Sequence, residues 1–260
     1  ATLDVFSGLK LKTSFENTYR LPDGSEIFGD GLNVLSNPQL GPEHSSNFNA
    51  GVLFHTISGK SNWIVEANFF SRKAENLIRQ AADGAKSEHV NLAKALIRGG
   101  ESEVTYRWNN KLSATLNATY QHLMNTTKYN ENGNYNYTYR DRLPNIPYLY
   151  GNLNLNYRFG NLFSGSDALS VNLNTRYVHE FYLKWPGHGG DKHVIPKQLV
   201  HSLSLNYSLQ NGRYNVSLGS TNIADKKVYD NFRVQKPGRA VYVKIRYFMN
   251  NGHAADNGGH

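Results

Sequence analysis

From Tyr148 onward the chain alternates strictly. Leu149, Gly151, Leu153, Leu155, Tyr157 and Phe159 share one face, and Asn152, Asn154, Asn156 and Arg158 share the other. A period of two belongs to a strand with one apolar and one polar face. The same pattern returns in Leu112, Ala114, Leu116, Ala118 and Tyr120, and in Leu169, Val171, Leu173 and Tyr177. It returns again in Leu203, Leu205, Tyr207 and Leu209, in Tyr214, Val216 and Leu218, and in Val241, Val243, Ile245 and Tyr247. Residues 9–15, 48–55, 63–71 and 102–108 carry looser versions, which brings the expected total to ten strands. Residues 73–98 are rich in Ala, Leu and Lys, and their pattern allows either a long loop or a short helix.

The connections alternate as well. Tight turns are expected at 58–61, 109–111 and 210–213, with a moderate one at 161–167; Asn211-Gly212 is a strong hairpin signal because both residues tolerate positive φ. Long segments lie between them, at 20–44, after 72, at 125–147, 182–197 and 223–238. The apolar faces mix Leu and Val with Ala, Gly and Thr. Trp108, Tyr157, Phe159, Tyr207 and Tyr247 stand near strand ends, where rings settle at headgroup level. An apolar band, aromatic girdles, polar inner faces and alternating short and long connections define a transmembrane β-barrel. The expected class is therefore all-β, an antiparallel barrel whose first strand starts, and whose tenth ends, on the periplasmic side. A soluble sandwich with a Tyr-rich core is the alternative that periodicity leaves open.

Composition narrows the function classes. The 260 residues carry 28 Lys+Arg against 20 Asp+Glu, a net charge of +8, and no cysteine. That excludes a disulfide framework, a thiolate zinc site and a cysteine nucleophile. The charges are scattered and make up 18% of the chain, unlike the clustered basic face of a nucleic-acid binder. No apolar run reaches the length of a membrane-spanning helix. The start, ATLDVFSGLKLK, has no basic segment followed by an apolar core.

Five boxes, in order, give the chain a resemblance. Tyr19-Arg20-Leu21-Pro22 resembles a Phe-Arg-Ala-Pro box, and Asn37-Pro38-Gln39-Leu40-Gly41-Pro42-Glu43 an Asn-Pro-x-Leu-x-Pro-Glu box. Asp141 to Pro147 resembles a segment leading back into a barrel, Asn222 to Tyr229 an Asn-Leu-Phe-Asp-Lys-x-Tyr box, and Pro237-Gly238-Arg239 the opening of a last strand. All belong to the C-terminal part of TonB-dependent outer-membrane receptors. Ala224 departs from the family's aromatic, and Met249 stands where a terminal aromatic is usual. The resemblance implies about ten strands of a 22-stranded barrel with a plugged lumen, made by residues 1–249, with 250–260 a flexible tail. It also implies that the plug and the TonB-contacting box are missing here, so that the chain is a fragment or one piece of a split receptor. Arg20, Pro22, Asn37, Pro38, Pro42, Glu43, Asn222, Pro237, Gly238 and Arg239 are the structural residues of these boxes.

Candidate chemistry lies in the long connections. Tyr129, Tyr135, Tyr137 and Tyr139 form an aromatic platform, a large amphipathic area held at low entropy cost. Trp185, His188 and His193 lie in a glycine-rich loop able to move over a ligand. Lys226, Lys227 and Arg233, with Lys236 and Arg239, outnumber Asp225 and Asp230 and favour anionic ligands or lipopolysaccharide phosphates. Lys10, Lys12, Arg176, Lys244 and Arg246 fall on polar faces and are expected to line the lumen. The histidines show no tight metal spacing, and no metal or cofactor is expected. The family's haem receptors carry a histidine between the first two boxes, whereas DGSEIFGDGLNVLS has none. The resemblance therefore implies a non-enzymatic receptor in a Gram-negative outer membrane. It would take up a ferric siderophore, cobalamin or a similar small metal chelate through TonB, and a second polypeptide could complete the barrel. A passive porin-like or structural barrel is the alternative, and a ten-stranded outer-membrane protease another; for the latter, Asp141, Asp191 and Asp230 lie in different loops.

Overall fold

The computed structural model describes residues 1–83, 86–129, 133–185, 193–230 and 234–248. Eleven antiparallel strands follow one another in chain order within one sheet. They are β1 (Thr2–Phe6), β2 (Leu9–Arg20), β3 (Glu43–Ser58), β4 (Ser61–Asp83), β5 (Lys86–Trp108), β6 (Leu112–Asn125), β7 (Leu149–Gly160), β8 (Ala168–Val178), β9 (Gln198–Leu209), β10 (Tyr214–Thr221) and β11 (Ala240–Tyr247). Ten were expected; β1 is the addition, a five-residue strand that meets β2 across the Ser7-Gly8 turn, where Gly8 takes φ 94°. Among the described residues β1 and β11 form the two sheet edges. Lipid cannot hydrate such edges, so in a membrane both need neighbouring strands.

The cross-strand register converts sequence alternation into two faces. Asn117, Asn152 and Arg176 align on adjacent strands, as do Thr115, Asn154, Asn174 and Ser202, then Ser113, Asn156, Asn172 and Ser204. These amides bond sideways: Asn152 donates to Asn117 at 3.2 Å, Asn172 to Ser204 at 3.3 Å, and the pairs Asn156–Asn172 and Asn174–Asn154 are also joined. Asn117, Asn152, Asn154, Asn156, Asn172 and Asn174 thus find partners on their own wall, and this part of the lumen face is polar. Lys10, Lys12, Arg176, Lys244 and Arg246 lie on this face.

The opposite face bears two aromatic rows. At the short-turn end Trp63 packs on Tyr106 (4.3 Å between centroids), Tyr157 on Phe159 (4.5 Å) and Tyr214 on Tyr247 (4.9 Å). Nearer the long connections come Phe69, Tyr120 and Tyr177. Between the rows lie Val65, Leu116, Leu153, Leu173, Leu203, Val216 and Val243, an apolar band. No helix among the described residues is long and apolar enough to cross a membrane; strands of 11 to 16 residues, such as β8 and β3, meet or exceed the roughly 9–11 that a tilted strand needs.

Residues 73–98 overturn the loop-or-helix expectation. They continue β4 and β5 as one hairpin, each strand 23 residues long, with pairing from Ser61↔Trp108 to Asp83↔Lys86. The long connection there is therefore strand beyond the bilayer. Asn76 takes φ 54°, a left-handed turn of the backbone. It lets Ala74 and Leu77, at odd spacing on one strand, enter the same buried cluster.

Where β4 meets β5, Phe70 lies opposite Gly99. A Cβ on Gly99 would collide with the Tyr120 carbonyl and the Phe70 ring; the phenyl covers the glycine. Gly99→Val is expected to lower barrel stability by about 1–3 kcal/mol. The resistance of the folded band to heating on a gel checks this, and Phe70→Ala in the same background should recover part of the loss.

Candidate functional site

The long connections end at one rim, here called the outer end, and fold into a cap rather than separate loops. Its core is Ala74, Leu77, Ala95, Leu123 and Leu143, with Leu92, Ile97, Ile146 and Trp185 packed against it. The β4–β5 hairpin is the spine, and every other connection leans on it or on a neighbour.

The first connection opens with a short helix, α1 (Gly24–Phe28), capped by a reciprocal box between Asp23 and Glu26. Glu26 also accepts from Arg20 at 2.8 Å. Partial burial pushes the Glu26 carboxyl up, but bonds from Arg20 and from the Asp23 N–H outweigh it and leave it below the usual carboxylate range. Further on, Asn37 donates to the His89 carbonyl at 2.8 Å, and Asn91 both accepts from the Gly41 N–H (2.8 Å) and donates to the Gly41 carbonyl (3.1 Å). Residues Val34–Leu35 add a parallel pairing to Ser87 and Glu88. Glu43, 2% exposed, closes the connection: it pairs with Arg72, stands 3.6 Å from Arg20 and accepts from the Ile78 N–H at 3.1 Å.

Within the same connection Asp30 accepts from the N–H groups of Leu32, Asn33 and Val34, each at 2.8 Å. The Val34 and Leu32 bonds hold its carboxyl below the ordinary value. A depressed carboxylate supports the fold above its unfolded pKa and loses that support as pH falls through the folded pKa. Amide exchange at Val34 is thus expected to stay slow at neutral pH and to quicken only below the ordinary carboxylate range, while Asp30→Asn should abolish the dependence.

The tyrosine connection is organised by Asn125, which is fully buried. Its side chain donates to Thr138 at 2.7 Å and accepts from the Thr127 N–H at 2.9 Å, and its carbonyl accepts from the Arg140 N–H at 2.8 Å. Around this pin the four tyrosines converge: Tyr135 makes edge contacts with Tyr129, Tyr137 and Tyr139 at 6.2–6.4 Å. Lys128 lies over Tyr129 (5.3 Å) and Arg140 over Tyr139 (5.5 Å). Tyr129, Tyr135 and Tyr137 are more than half exposed. The four tyrosines are thus brought together, with cations at their margin.

The next connection differs from expectation. Trp185 is no free paddle: it packs on the cap core, and the Arg79 guanidinium sits 5.2 Å from its ring. Burial lowers the Arg79 pKa from its ordinary value. Phe181–Tyr182 pairs with Val194–Ile195, and the Tyr182 carbonyl accepts from the Asn145 N–H at 2.6 Å, tying this connection to the tyrosine one. His193 takes φ 44° and its carbonyl accepts from the Leu183 N–H. His188 and Arg233 lie outside the described residues, as do Met249 and the expected tail.

In the last connection the two terminal boxes interlock. Asn222 donates to the Lys226 carbonyl (2.8 Å) and accepts from its N–H (2.9 Å), fixing the turn. Asp225 accepts from the Arg239 N–H at 2.8 Å, and a Cβ at Gly238 would come 2.5 Å from the same carboxylate. Lys226 and Lys227 remain exposed beside this clasp. Among the described residues, no group of three or more His, Cys, Asp or Glu is placed to hold a metal ion.

A family model described as TonB dependent receptor-like, beta-barrel matches residues 1–223. The chain belongs to this family. No curated protein matches the sequence. Among solved structures it is similar to the copper transporter OprC (TM-score 0.69, 19% identity, 95% of this chain and 37% of that one). It is also similar to the siderophore receptor PirA from Acinetobacter baumannii (0.64, 17%, 95% and 40%). The FrpB iron transporter from Neisseria meningitidis gives 0.65, 16%, 95% and 38%. The chain thus spans about two fifths of the length of these relatives. At these identities the likeness is one of fold, a stretch of antiparallel barrel wall. The family boxes receive partners, as the Glu43, Asn222 and Gly238 contacts show. Asn125, Arg72 and Arg79 carried no box and no periodicity, so nothing in the sequence marked them.

Proposed function

We propose that this chain forms part of an outer-membrane receptor that captures a small metal chelate or similar nutrient at its outer cap and imports it with energy from TonB. The observation that carries the reading is the cap itself. A receptor barrel surmounted by interlocked connections presents the Tyr129, Tyr135, Tyr137 and Tyr139 cluster and the Lys226–Lys227 pair at one rim, above a polar lumen. Aromatic faces and cations together suit an anionic, partly aromatic or polyoxygenated chelate. Relatives named as siderophore receptor, iron transporter and copper transporter support a metal-linked cargo. A ferric siderophore fits best; cobalamin is the second choice, and the first connection offers no histidine for haem. TonB would act through a plug region supplied outside this sequence, and other strands of the receptor, or a second polypeptide, would pair with β1 and β11.

The test is growth of a strain carrying the intact receptor on single ferric chelates, with a TonB-deficient control. Receptor-dependent growth that vanishes without TonB is expected. Uptake that persists without TonB would favour a passive, porin-like barrel instead.

A further inference from the structure

The lumen face is divided by charge. Strands β6 to β11 contain no Asp or Glu, and all four of their Lys and Arg residues, Arg158, Arg176, Lys244 and Arg246, point inward. All four are exposed, and no described carboxylate lies within 4.0 Å of any of them. The lumen face of β4 and β5 is the reverse. It carries Glu66, Glu101 and Glu103, with Lys12 standing 3.3 Å from Glu66.

The cations of β6–β11 stand at two levels. Arg158 and Lys244 share a row with Ser170, Asn206 and Ser217, and Arg246 lies one row nearer the short turns. Arg176 stands three rows toward the cap, about 20 Å away along the strands. Between the levels Asn154, Asn156, Asn172, Asn174, Ser202 and Ser204 line a concavity of about 310 Å³. At the lower level Lys244 and Arg246, with Asn206, Asn215, Ser217 and Tyr242, line another of about 380 Å³. The amides of the middle rows already bond one another. Re-pairing them with a plug would exchange one hydrogen bond for another and gain little, so water stays on this wall. Unpaired cations on a wet surface free of acids raise the local concentration of anions.

We infer that the lumen face of β6–β11 is the path of a small, polyoxygenated anion through the barrel. Arg176 receives it beneath the cap, the amide rows carry it by hydrogen bonds that water can replace, and Arg158, Lys244 and Arg246 draw it to the short-turn end. The inference rests on the uptake reading for the direction of travel, and it names the wall along which an anionic cargo crosses.

The experiment uses the intact receptor in outer membranes with a single cysteine introduced; this chain has none of its own. The probes are two methanethiosulfonates of similar size, one ending in a sulfonate and the other in a trimethylammonium group, with rates taken relative to a free thiol. At Asn174→Cys the sulfonate should react about tenfold faster than the cation. At Asn68→Cys, whose native amide lies 3.5 Å from both Glu66 and Glu101, the preference should reverse. R158Q/R176Q should cut the Asn174→Cys preference roughly threefold or more. R158K/R176K should keep it, and Arg98→Gln, on the outward face, should leave it unchanged. Folding is checked by the heat-shifted band of each variant. No sulfonate preference at Asn174→Cys, the same preference at both cysteines, or a preference untouched in R158Q/R176Q would each overturn the path. Protection of Asn174→Cys from both reagents would also overturn it, because a plug carboxylate or backbone would then seal this wall. Growth independent of TonB with the sulfonate preference intact would sink the energised-uptake reading alone and leave the wall an anion path in a passive barrel.

Discussion

Glu43→Ala is expected to lower barrel stability by about 3–5 kcal/mol, the usual consequence of removing one partner from a buried ion pair. The carboxylate is 2% exposed and serves two arginines and a backbone N–H at once. Without it Arg20 keeps Glu26, but Arg72 has no other described carboxylate within 4.0 Å. A half-buried guanidinium would then stand beside a second one, and the Ile78 N–H would be left unpaired in a dry site. Glu43→Gln keeps the shape and an acceptor for Ile78, so it should lose roughly half as much. The heat at which the folded band disappears on a gel ranks the three proteins. If Glu43→Ala melts with the wild type, the network contributes no net stability.

The box containing Glu43 illustrates what the sequence could and could not disclose. Motif likeness placed Asn37, Gly41 and Glu43 at a strand entrance, yet their partners His89, Asn91, Arg72 and Ile78 lie some 30 to 50 residues away. Such partnerships arise from register, which alternation does not specify by itself. The wall was legible because lipid favours the pattern: outward positions between the girdles are mostly apolar, with Ser102 and the bonded pair Thr175–His201 among the exceptions, and inward ones are mostly polar. Past the bilayer that rule lapses. Lys73, Glu75 and Lys94 then appear on the outward face of β4 and β5, Asn76 interrupts the alternation, and a 23-residue strand pair resembles a loop or helix in sequence. β1 was missed for a related reason. Its five residues sit at a sheet edge, and Val5 and Phe6 are apolar in succession at the register shift between Asp4 and Phe6.

The cap shows the same limit. Four tyrosines within eleven residues announced an aromatic cluster, and the structure places them in mutual contact around Tyr135. Trp185 looked equally suited to a ligand, but a large ring is also the best filler for a small core. Its neighbours Arg79, Leu77 and Leu143 come from connections far away in sequence. Residue type raised both candidates, and only the fold separated exposed ring from packed ring.

The contrast makes Asn125 the residue whose loss should affect capture most while sparing the barrel. Asn125→Ala removes the acceptor for the Thr127 N–H and the donor to Thr138, two bonds in a site sealed from water. An orphaned buried N–H costs about 1–3 kcal/mol, which falls on the tyrosine connection and not on the wall, since the β5–β6 ladder up to Ala95↔Asn125 is made by backbone groups. The connection is then expected to sample other arrangements, and a cluster assembled only part of the time binds in proportion to that fraction. With the ferric chelate that supports receptor-dependent growth as probe, affinity should fall about tenfold or more. The heat resistance of the barrel should stay within about 1 kcal/mol of wild type. Tyr135→Ala, which removes the central ring and leaves the pin, should weaken binding to a similar degree. Wild-type affinity in both variants would show that the tyrosine cluster is solvated cap surface and that cargo is captured elsewhere on the rim.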